Sequence, residues 1–377
     1  MQWQLIESDE ALQQLMVREA GCQVVIVDTE FMRRNTFYPE VALVQLCFVS
    51  GDSCSDMAWL VDPLRIENPE PLATLLSNPS VLKVLHSASE DLEVFQRWLG
   101  VLPQPLFDTQ RAAALLDLGF SLGYRALVHT ICSVDLPKGE TRSDWLQRPL
   151  TESQCEYAGL DVTWLARVWR ELNTQCVRQE KLAWVLADGK DAIAALATGA
   201  DDTHRRIKTA WKLSSRQFGA LVAICRWREE TARGRNKPRG WIIDDQTCLQ
   251  LATNGPQSLA ELRDGLGLPA PVLRRHGEEL LALLETQRTV PEADLPLRLP
   301  PPLNASQREQ VKKLKAQVRE FATKLVVAPE VLVYRKDYEL LLRESCGEDI
   351  QIPVHWAGWR MDTALAPLRQ VLAGCGE

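Results

Sequence analysis

A short run of β-branched residues that ends in two carboxylates constrains this chain more than any other stretch. Residues 24–27 are Val, Val, Ile and Val, and Asp28, Thr29, Glu30 and Phe31 follow directly. Four such residues in succession are typical of a strand that is covered on both faces, as in the centre of an α/β sheet. Because side chains alternate along a strand, the pattern predicts Asp28 and Glu30 on one side of the sheet.

Two carboxylates on one side of a buried strand repel each other unless a cation lies between them. A divalent metal with oxygen ligands, Mg²⁺ or Mn²⁺, is the usual solution. A pair of acids at a strand end also occurs as solvated turn residues. Further carboxylates are therefore needed before a metal site can be predicted.

Asp91 is a candidate for the third carboxylate. It lies in the first turn of a predicted helix, which follows an apolar strand at residues 81–85 and has Ser89 as its predicted N-cap. The start of a helix tolerates an anion, and helices of an α/β layer often begin at the sheet edge where sites form. The alternative is that Asp91 is only a helix-capping acid.

Tyr157 and Asp161 complete the candidate site. Thr151 opens a capping box, and the apolar residues behind it recur every three or four positions, which predicts a helix to about residue 176. Residues four apart share one face of a helix, and an acid beside a buried stripe needs a partner or a metal. The alternative is that Tyr157 buries its ring while Asp161 pairs with Arg125 or Arg142.

The charge of the chain is unevenly distributed. Residues 1–200 contain 16 Lys and Arg against 27 Asp and Glu, whereas the remainder contains 27 against 23. Residues 203–240 alone hold eleven basic and two acidic residues. A basic segment after an acidic half indicates binding to phosphate, with a solvated helix face as the alternative. Trp241, beside this segment, is a candidate for stacking on a base. The expected nucleic-acid contacts are Arg226, Arg228, Arg233, Arg235, Lys237 and Arg239.

Strand and helix patterns alternate up to about residue 200, and the pattern is helical from there on. This division predicts an α/β domain at residues 1–205 and a helical domain at 206–289. A stiff proline-rich linker at 290–303 and a second helical domain at 304–377 follow.

Ten cysteines without a Cys-x-x-Cys pair favour buried thiols in a reducing compartment. The sequence has no signal peptide and no apolar run of membrane-spanning length, so we expect a cytoplasmic protein that contacts no membrane. Nothing in the pattern indicates an obligate oligomer, and we expect a monomer.

The acidic motifs together resemble those of the DEDD superfamily of 3′-5′ exonucleases, in its tyrosine-containing branch. The motifs are Asp28-Thr29-Glu30-Phe31, His86-Ser87-Ala88-Ser89-Glu90-Asp91-Leu92 and Tyr157-x-x-x-Asp161. Other stretches resemble the bacterial ribonuclease D family in particular, among them Leu102-Pro103-Gln104-Pro105-Leu106-Phe107-Asp108 and Ser143-Asp144-Trp145-Leu146. Residues 213–284 resemble an HRDC domain (helicase and ribonuclease D, C-terminal), and the last helical unit resembles a second, more divergent copy.

The resemblance implies a ribonuclease-H-like fold, a mixed sheet flanked by helices, that hydrolyses RNA from its 3′ end and releases nucleoside 5′-monophosphates. It implies two divalent ions, Mg²⁺ or Mn²⁺, with Asp28 bridging both, Glu30 and Asp161 completing the first, and Asp91 holding the second. Tyr157 would orient the attacking water. Implied substrates are tRNA precursors and other small structured RNAs with a free 3′ end. Two alternatives stay open, a DNA exonuclease of the same superfamily and an RNA-binding scaffold with a vestigial site.

Overall fold

The computed structural model describes residues 1–51, 56–137, 139–140, 142–197 and 202–374. The chain divides into two compact units. The first comprises residues 1–32, 39–198 and 303–377, and the second comprises residues 33–38 and 199–302.

A six-stranded mixed sheet forms the centre of the first unit. Its strands are β1 (Gln2–Ile6), β2 (Val24–Met32), β3 (Glu40–Val49), β4 (Met57–Val61), β5 (Leu82–Leu85) and β6 (Leu106–Asp108). The order across the sheet is β1-β4-β3-β2-β5-β6. Strand β3 runs antiparallel to β2 and β4, and the other neighbouring pairs are parallel. Strand β2 therefore lies inside the sheet, as its β-branched residues predict.

Helices of the first unit cover both faces of this sheet. They are α1 (Asp9–Arg18), α2 (Glu70–Ser77), α3 (Ser89–Leu99), α4 (Thr109–Leu115), α5 (Tyr124–Cys132), α6 (Glu152–Arg178) and α7 (Leu182–Ala197). Ile26 of β2 lies in one buried cluster with α6 residues, whereas Val25 and Val27 lie in another with α3 residues. Even-numbered side chains of β2 thus face α6 and odd-numbered ones face α3, because side chains alternate along a strand.

The starts of α6 and α3 can be compared with the prediction. Thr151 caps α6 in a complete capping box, as predicted. Helix α3 differs, because Ala88 occupies the N-cap position in place of Ser89 and makes no side-chain cap. The carboxylate of Asp108, at the end of β6, accepts hydrogen bonds at 3.0 Å from the amides of Ser87 and Ala88. Asp108 therefore ties the loop before α3 to the neighbouring strand, and the predicted cap by Ser89 is wrong.

The second unit is a small helical bundle. Its helices are α8 (Ser215–Gly234), α9 (Arg239–Ile242), α10 (Asp245–Asn254) and α11 (Ala270–Thr289). Leu221, Ile224 and Leu280 are fully buried in its core. The inserted segment 33–38 contributes Phe37 to the same core, and the amide of Phe37 donates to Asn236 Oδ1 at 3.0 Å.

The last segment of the chain packs into the first unit. Its helices are α12 (Ala305–Leu325), α13 (Pro329–Leu332), α14 (Asp337–Ser345) and α15 (Ala366–Gly374). Leu314 and Trp356 belong to the same buried cluster as Ala112 of α4, and the amide of Ala328 donates to the carbonyl of Ala114 at 2.8 Å. Helices α12 to α15 therefore share a core with the α/β domain. That residues 304–377 form a separate domain stays a prediction.

Single turns connect several of these elements. They are 3-10 turns at Asp202–Arg206, Ala210–Lys212, Glu292–Asp294 and Val354–Trp356 and π-helical turns at Glu261–Gly265 and Met361–Leu365. A mixed sheet flanked by helices, followed by helices alone, confirms the predicted fold class. Across the described part of the chain, no helix has the length and apolar character that a membrane span requires.

Candidate metal centre

Strand β2 positions the first two acids at its C-terminal end. Asp28 and Glu30 are half-buried, and both lie on the face that Ile26 shares with α6. Asp28 pairs with Gln45 of β3, and the pairing register shifts between Glu30 and Phe31. Such a shift bends a strand and re-aims its side chains. The prediction that Asp28 and Glu30 point to the same side of the sheet is confirmed.

Helix α6 brings the third acid to this strand end. Asp161 is 8% exposed and lies on the stretch of α6 that contains the buried residues Ala158 and Val162. One oxygen atom from each of Asp28, Glu30 and Asp161 lies within 4.8 Å of the others, and no second group of this kind occurs among the described residues. Three carboxylates from two elements converge in a geometry that can hold a metal ion.

Asp91 approaches from the opposite side of the sheet. It is 7% exposed in the first turn of α3, and it lies outside the group of three oxygens. The hydroxyl of Thr29 is 2.5 Å from Asp91 Oδ1, and both groups are buried. Asp91 is therefore not a solvated capping acid. It is a buried carboxylate that is hydrogen-bonded to Thr29 of β2.

The pKa values of all four acids are raised. Burial, followed by repulsion from Asp161, raises the pKa of Asp28 to about 8. Burial raises the pKa of Asp161 to about 7, against a hydrogen bond from Tyr157 that lowers it. Burial and neighbouring acids also raise the pKa values of Glu30 and Asp91 well above their usual range. Burial is the largest cause of each shift, and a divalent ion bound to these carboxylates would lower their pKa values.

Tyr157 lies one helical turn before Asp161 and is hydrogen-bonded to its carboxylate. The alternative partner Arg125 instead donates to the carbonyl of Leu136 at 2.6 Å. The backbone at Gly139 lies against the tyrosine ring, because a Cβ at that position would come within 1.8 Å of Tyr157 Cδ2. The ring of Tyr157 thus packs against the backbone at Gly139, and its hydroxyl is hydrogen-bonded to Asp161.

Three neighbours of the site were not predicted from the sequence. Thr29 lies between the two acids of β2, and only its position in this motif could have identified it from the sequence as a neighbour of the site. Tyr124 donates to the backbone carbonyl of Asp161 at 2.6 Å, and nothing in the sequence pattern indicates this contact. Gly139 is likewise recognised only from its closeness to the Tyr157 ring.

Of the six basic residues predicted to contact nucleic acid, three pair with acids of the second unit. Arg228 is 3% exposed and pairs with Asp245 at 2.8 Å, so most of its side chain is committed to the second unit, and its contact with nucleic acid stays a prediction. Arg233 and Arg239 both bind the buried carboxylate of Glu229 and lie over the ring of Phe37. These two are partly committed to the second unit. The remaining three are Arg226 and Arg235, which are exposed, and Lys237, which is half-buried.

Two family models match this chain. A 3'-5' exonuclease model matches residues 3–176, which contain all four acids and the tyrosine. A model described as the HRDC domain matches residues 217–284, which lie in the second unit.

Full-length relatives extend this likeness. Ribonuclease D of Pseudomonas paraeruginosa is 41% identical over 366 residues, which cover 96% of this chain and 95% of the relative. Ribonuclease D of Escherichia coli is 35% identical over 384 residues and is covered to 99%, as is this chain. The crystal structure of Escherichia coli RNase D, an exoribonuclease involved in structured RNA processing, matches with a TM-score of 0.88 at 34% identity over 99% of each chain.

Proposed function

The chain belongs to the ribonuclease D family of 3′-to-5′ exoribonucleases, and from that premise we propose that its four acidic motif residues hold two divalent ions, Mg²⁺ or Mn²⁺. The convergence of three carboxylates within 4.8 Å carries this proposal. Carboxylate oxygens are suitable ligands for Mg²⁺ and for Mn²⁺. Asp28 would be a ligand of both ions, Glu30 and Asp161 would complete the first, and Asp91 would hold the second.

The reaction is hydrolysis of the last phosphodiester of an RNA chain. Water adds to phosphorus, the 3′ oxygen leaves with the shortened RNA, and a nucleoside 5′-monophosphate is released. Divalent ions at such a cluster stabilise the charge that develops on the phosphate and make a nucleophile available near neutral pH. Asp28 and Asp161 must be ionised to hold them, and their raised pKa values indicate that protons leave when a cation arrives.

Tyr157 has the geometry to position the attacking water. Burial and the neighbouring Asp161 raise the pKa of its phenol, so the hydroxyl stays protonated at neutral pH. A neutral phenol can donate one hydrogen bond and accept another, which suits it to orient a water molecule beside the terminal phosphate. The packing against Gly139 limits where its ring can lie. Removal of the hydroxyl in Tyr157→Phe is expected to lower kcat more than it changes KM.

RNA binding by the second unit is the next part of the proposal. Arg226, Arg235 and Lys237 are the basic residues of the predicted set that can neutralise phosphates, a contact that does not depend on sequence. The indole of Trp241 is 60% exposed and lies near Lys237, with the ammonium 5.8 Å from the ring centroid. An exposed indole beside cations suits stacking on an unpaired base.

The substrates we propose are tRNA precursors and other small structured RNAs with a free 3′ end. Their folded part would contact basic side chains while single-stranded 3′ residues are cleaved. We further propose that the protein acts as a cytoplasmic monomer. A DNA exonuclease with the same carboxylates is the alternative, since these acids do not indicate whether the substrate contains ribose or deoxyribose.

Digestion of a structured RNA labelled at its 3′ or its 5′ end tests the proposal. With Mg²⁺ or Mn²⁺, we expect mononucleotides to be released from the 3′ end by the wild type and not by Asp28→Asn. Asp56→Asn, which alters an exposed acid that pairs with Arg167, is the matched control and should digest normally. Binding without cleavage in all three proteins would favour a scaffold, and faster digestion of a matched DNA oligomer would favour the alternative.

A further inference from the structure

Thr29 occupies an unusual position between the acids of β2. Its side chain faces α3, whereas those of Asp28 and Glu30 face α6, because side chains alternate along the strand. The Thr29 hydroxyl lies 2.5 Å from Asp91 Oδ1. Thr29 therefore joins β2, the strand that carries Asp28 and Glu30, to Asp91 of α3.

The contact with Asp91 has a defined direction once that carboxylate is ionised. An ionised carboxylate accepts hydrogen bonds and cannot donate, so the Thr29 hydroxyl must be the donor. Oxygen Oδ1 of Asp91 is then occupied on one side, which limits the rotation of the carboxylate. Both side chains are buried, at 6% and 7% exposure, so water does not readily replace this bond.

We propose that Thr29 is a positioning residue that orients Asp91 as the ligand of the second divalent ion. It touches neither the ion nor the RNA, and it acts through its hydroxyl. The inference rests on the proposed two-ion site. It explains how an acid on α3, on the opposite face of the sheet, is held in register with the three acids on the α6 face. Groups that orient metal ligands typically contribute about 10–100-fold to metal affinity.

Metal titration of the full chain, with Mn²⁺ followed by calorimetry and by electron paramagnetic resonance, tests this role independently of turnover. Thr29→Val keeps the β-branched shape that suits a strand and removes only the hydroxyl. We expect one site with wild-type affinity and one weakened about 10–100-fold. Thr29→Ser retains the donor and should restore the second site. Thr29→Ala is measured in parallel, with the fold of each variant checked by circular dichroism.

Two controls separate this role from a general loss of structure. Thr109→Val removes another buried hydroxyl, which donates to the carbonyl of Leu85 at 3.1 Å, and should leave both metal sites unchanged. Activity assays provide a second readout: in Thr29→Val the Mn²⁺ concentration for half-maximal rate should rise about 10–100-fold, with kcat at saturating metal largely retained.

The outcomes distinguish the two levels of the proposal. The role of Thr29 is overturned if Thr29→Val and Thr29→Ala bind both ions normally, if both sites weaken equally, or if Thr29→Ser behaves like the valine variant. The two-ion assignment itself is overturned if the wild type binds fewer than two ions, or if Asp91→Asn binds two ions with unchanged affinity.

Discussion

A buried ion-pair cluster joins the last segment of the chain to the α/β domain, and its removal should be costly. Asp188 of α7 accepts hydrogen bonds from Arg360 at 2.8 Å, from Arg111 at 2.8 and 3.1 Å, and from the indole of Trp359 at 3.2 Å. The side chains of Asp188 and Arg360 are 2% and 1% exposed. Trp359 also stacks on Trp184 with ring centroids 4.6 Å apart.

Asp188→Asn keeps the shape of the side chain and removes its charge. Arg360 would then be a buried cation whose next acidic neighbour is Asp191, at 3.9 Å. Loss of one partner of a buried pair costs about 3–5 kcal/mol, because the other charge is left uncompensated. For a unit of this size, each kcal/mol lowers the melting temperature by about 2–4 °C, so we expect a decrease of about 6–20 °C.

Scanning calorimetry of the full chain measures this decrease. Asp56→Asn serves as the control, since Asp56 pairs with Arg167 at 2.7 Å but both side chains are exposed, and such surface pairs contribute about 1 kcal/mol or less. In a double-mutant cycle, Arg360→Met combined with Asp188→Asn should cost less than the sum of the single changes. A loss in Asp188→Asn no larger than that of the surface control would refute the reasoning.

Three further predictions concern the site and the RNA contacts. In the folded, metal-free protein the pKa of Asp28 is about 8 and that of Asp161 is about 7, whereas both acids release their protons near pH 4 in the unfolded chain. The stability of the metal-free protein should therefore fall as the pH rises from about 4 to about 8. Mn²⁺ at a fixed concentration of about 100 times its Kd at about pH 8.5 should add about 3 kcal/mol at that pH. The same concentration should add less at about pH 6, where protons compete for the carboxylates, and an increment that shrinks as pH rises contradicts this. Gly139→Ala should displace the neighbouring tyrosine ring and lower kcat, while Gly123→Ala, with open space around its Cβ, should not; equal rates in a single-turnover assay would count against the contact. Trp241→Ala should weaken binding of single-stranded RNA about 5-fold to 100-fold, and unchanged fluorescence anisotropy titrations would exclude stacking.

Local patterns predicted the parts of the fold that depend on local physics. The β-branched run of β2 specified an interior strand, and its period of two placed Asp28 and Glu30 on one face. The capping box at Thr151 predicted the start of α6. The four-residue spacing of Tyr157 and Asp161 predicted that they share one face of that helix. Each of these inferences needs only side-chain geometry over a few residues.

Other features depend on which element packs where, and the sequence alone does not specify this. The contact of Thr29 with Asp91 requires knowing that α3 covers the odd face of β2. The apolar stripe of α12 predicts that the helix is buried but not that Leu314 joins the core of the α/β domain. An amphipathic helix specifies a buried face and leaves its partner open.

The basic segment shows the same distinction between composition and placement. Counting charges treats all arginines of α8 alike, yet Arg228 neutralises Asp245 within the bundle and Arg233 neutralises Glu229. Only cations without such a partner release counterions from RNA, at a slope of about −0.7 in log affinity against log salt for each phosphate of a single strand. Three of the six predicted cations, Arg226, Arg235 and Lys237, would contribute a slope of about −2, about half of what all six would give. The salt dependence of RNA binding therefore measures how many of these cations are not paired with acids and can bind RNA phosphates.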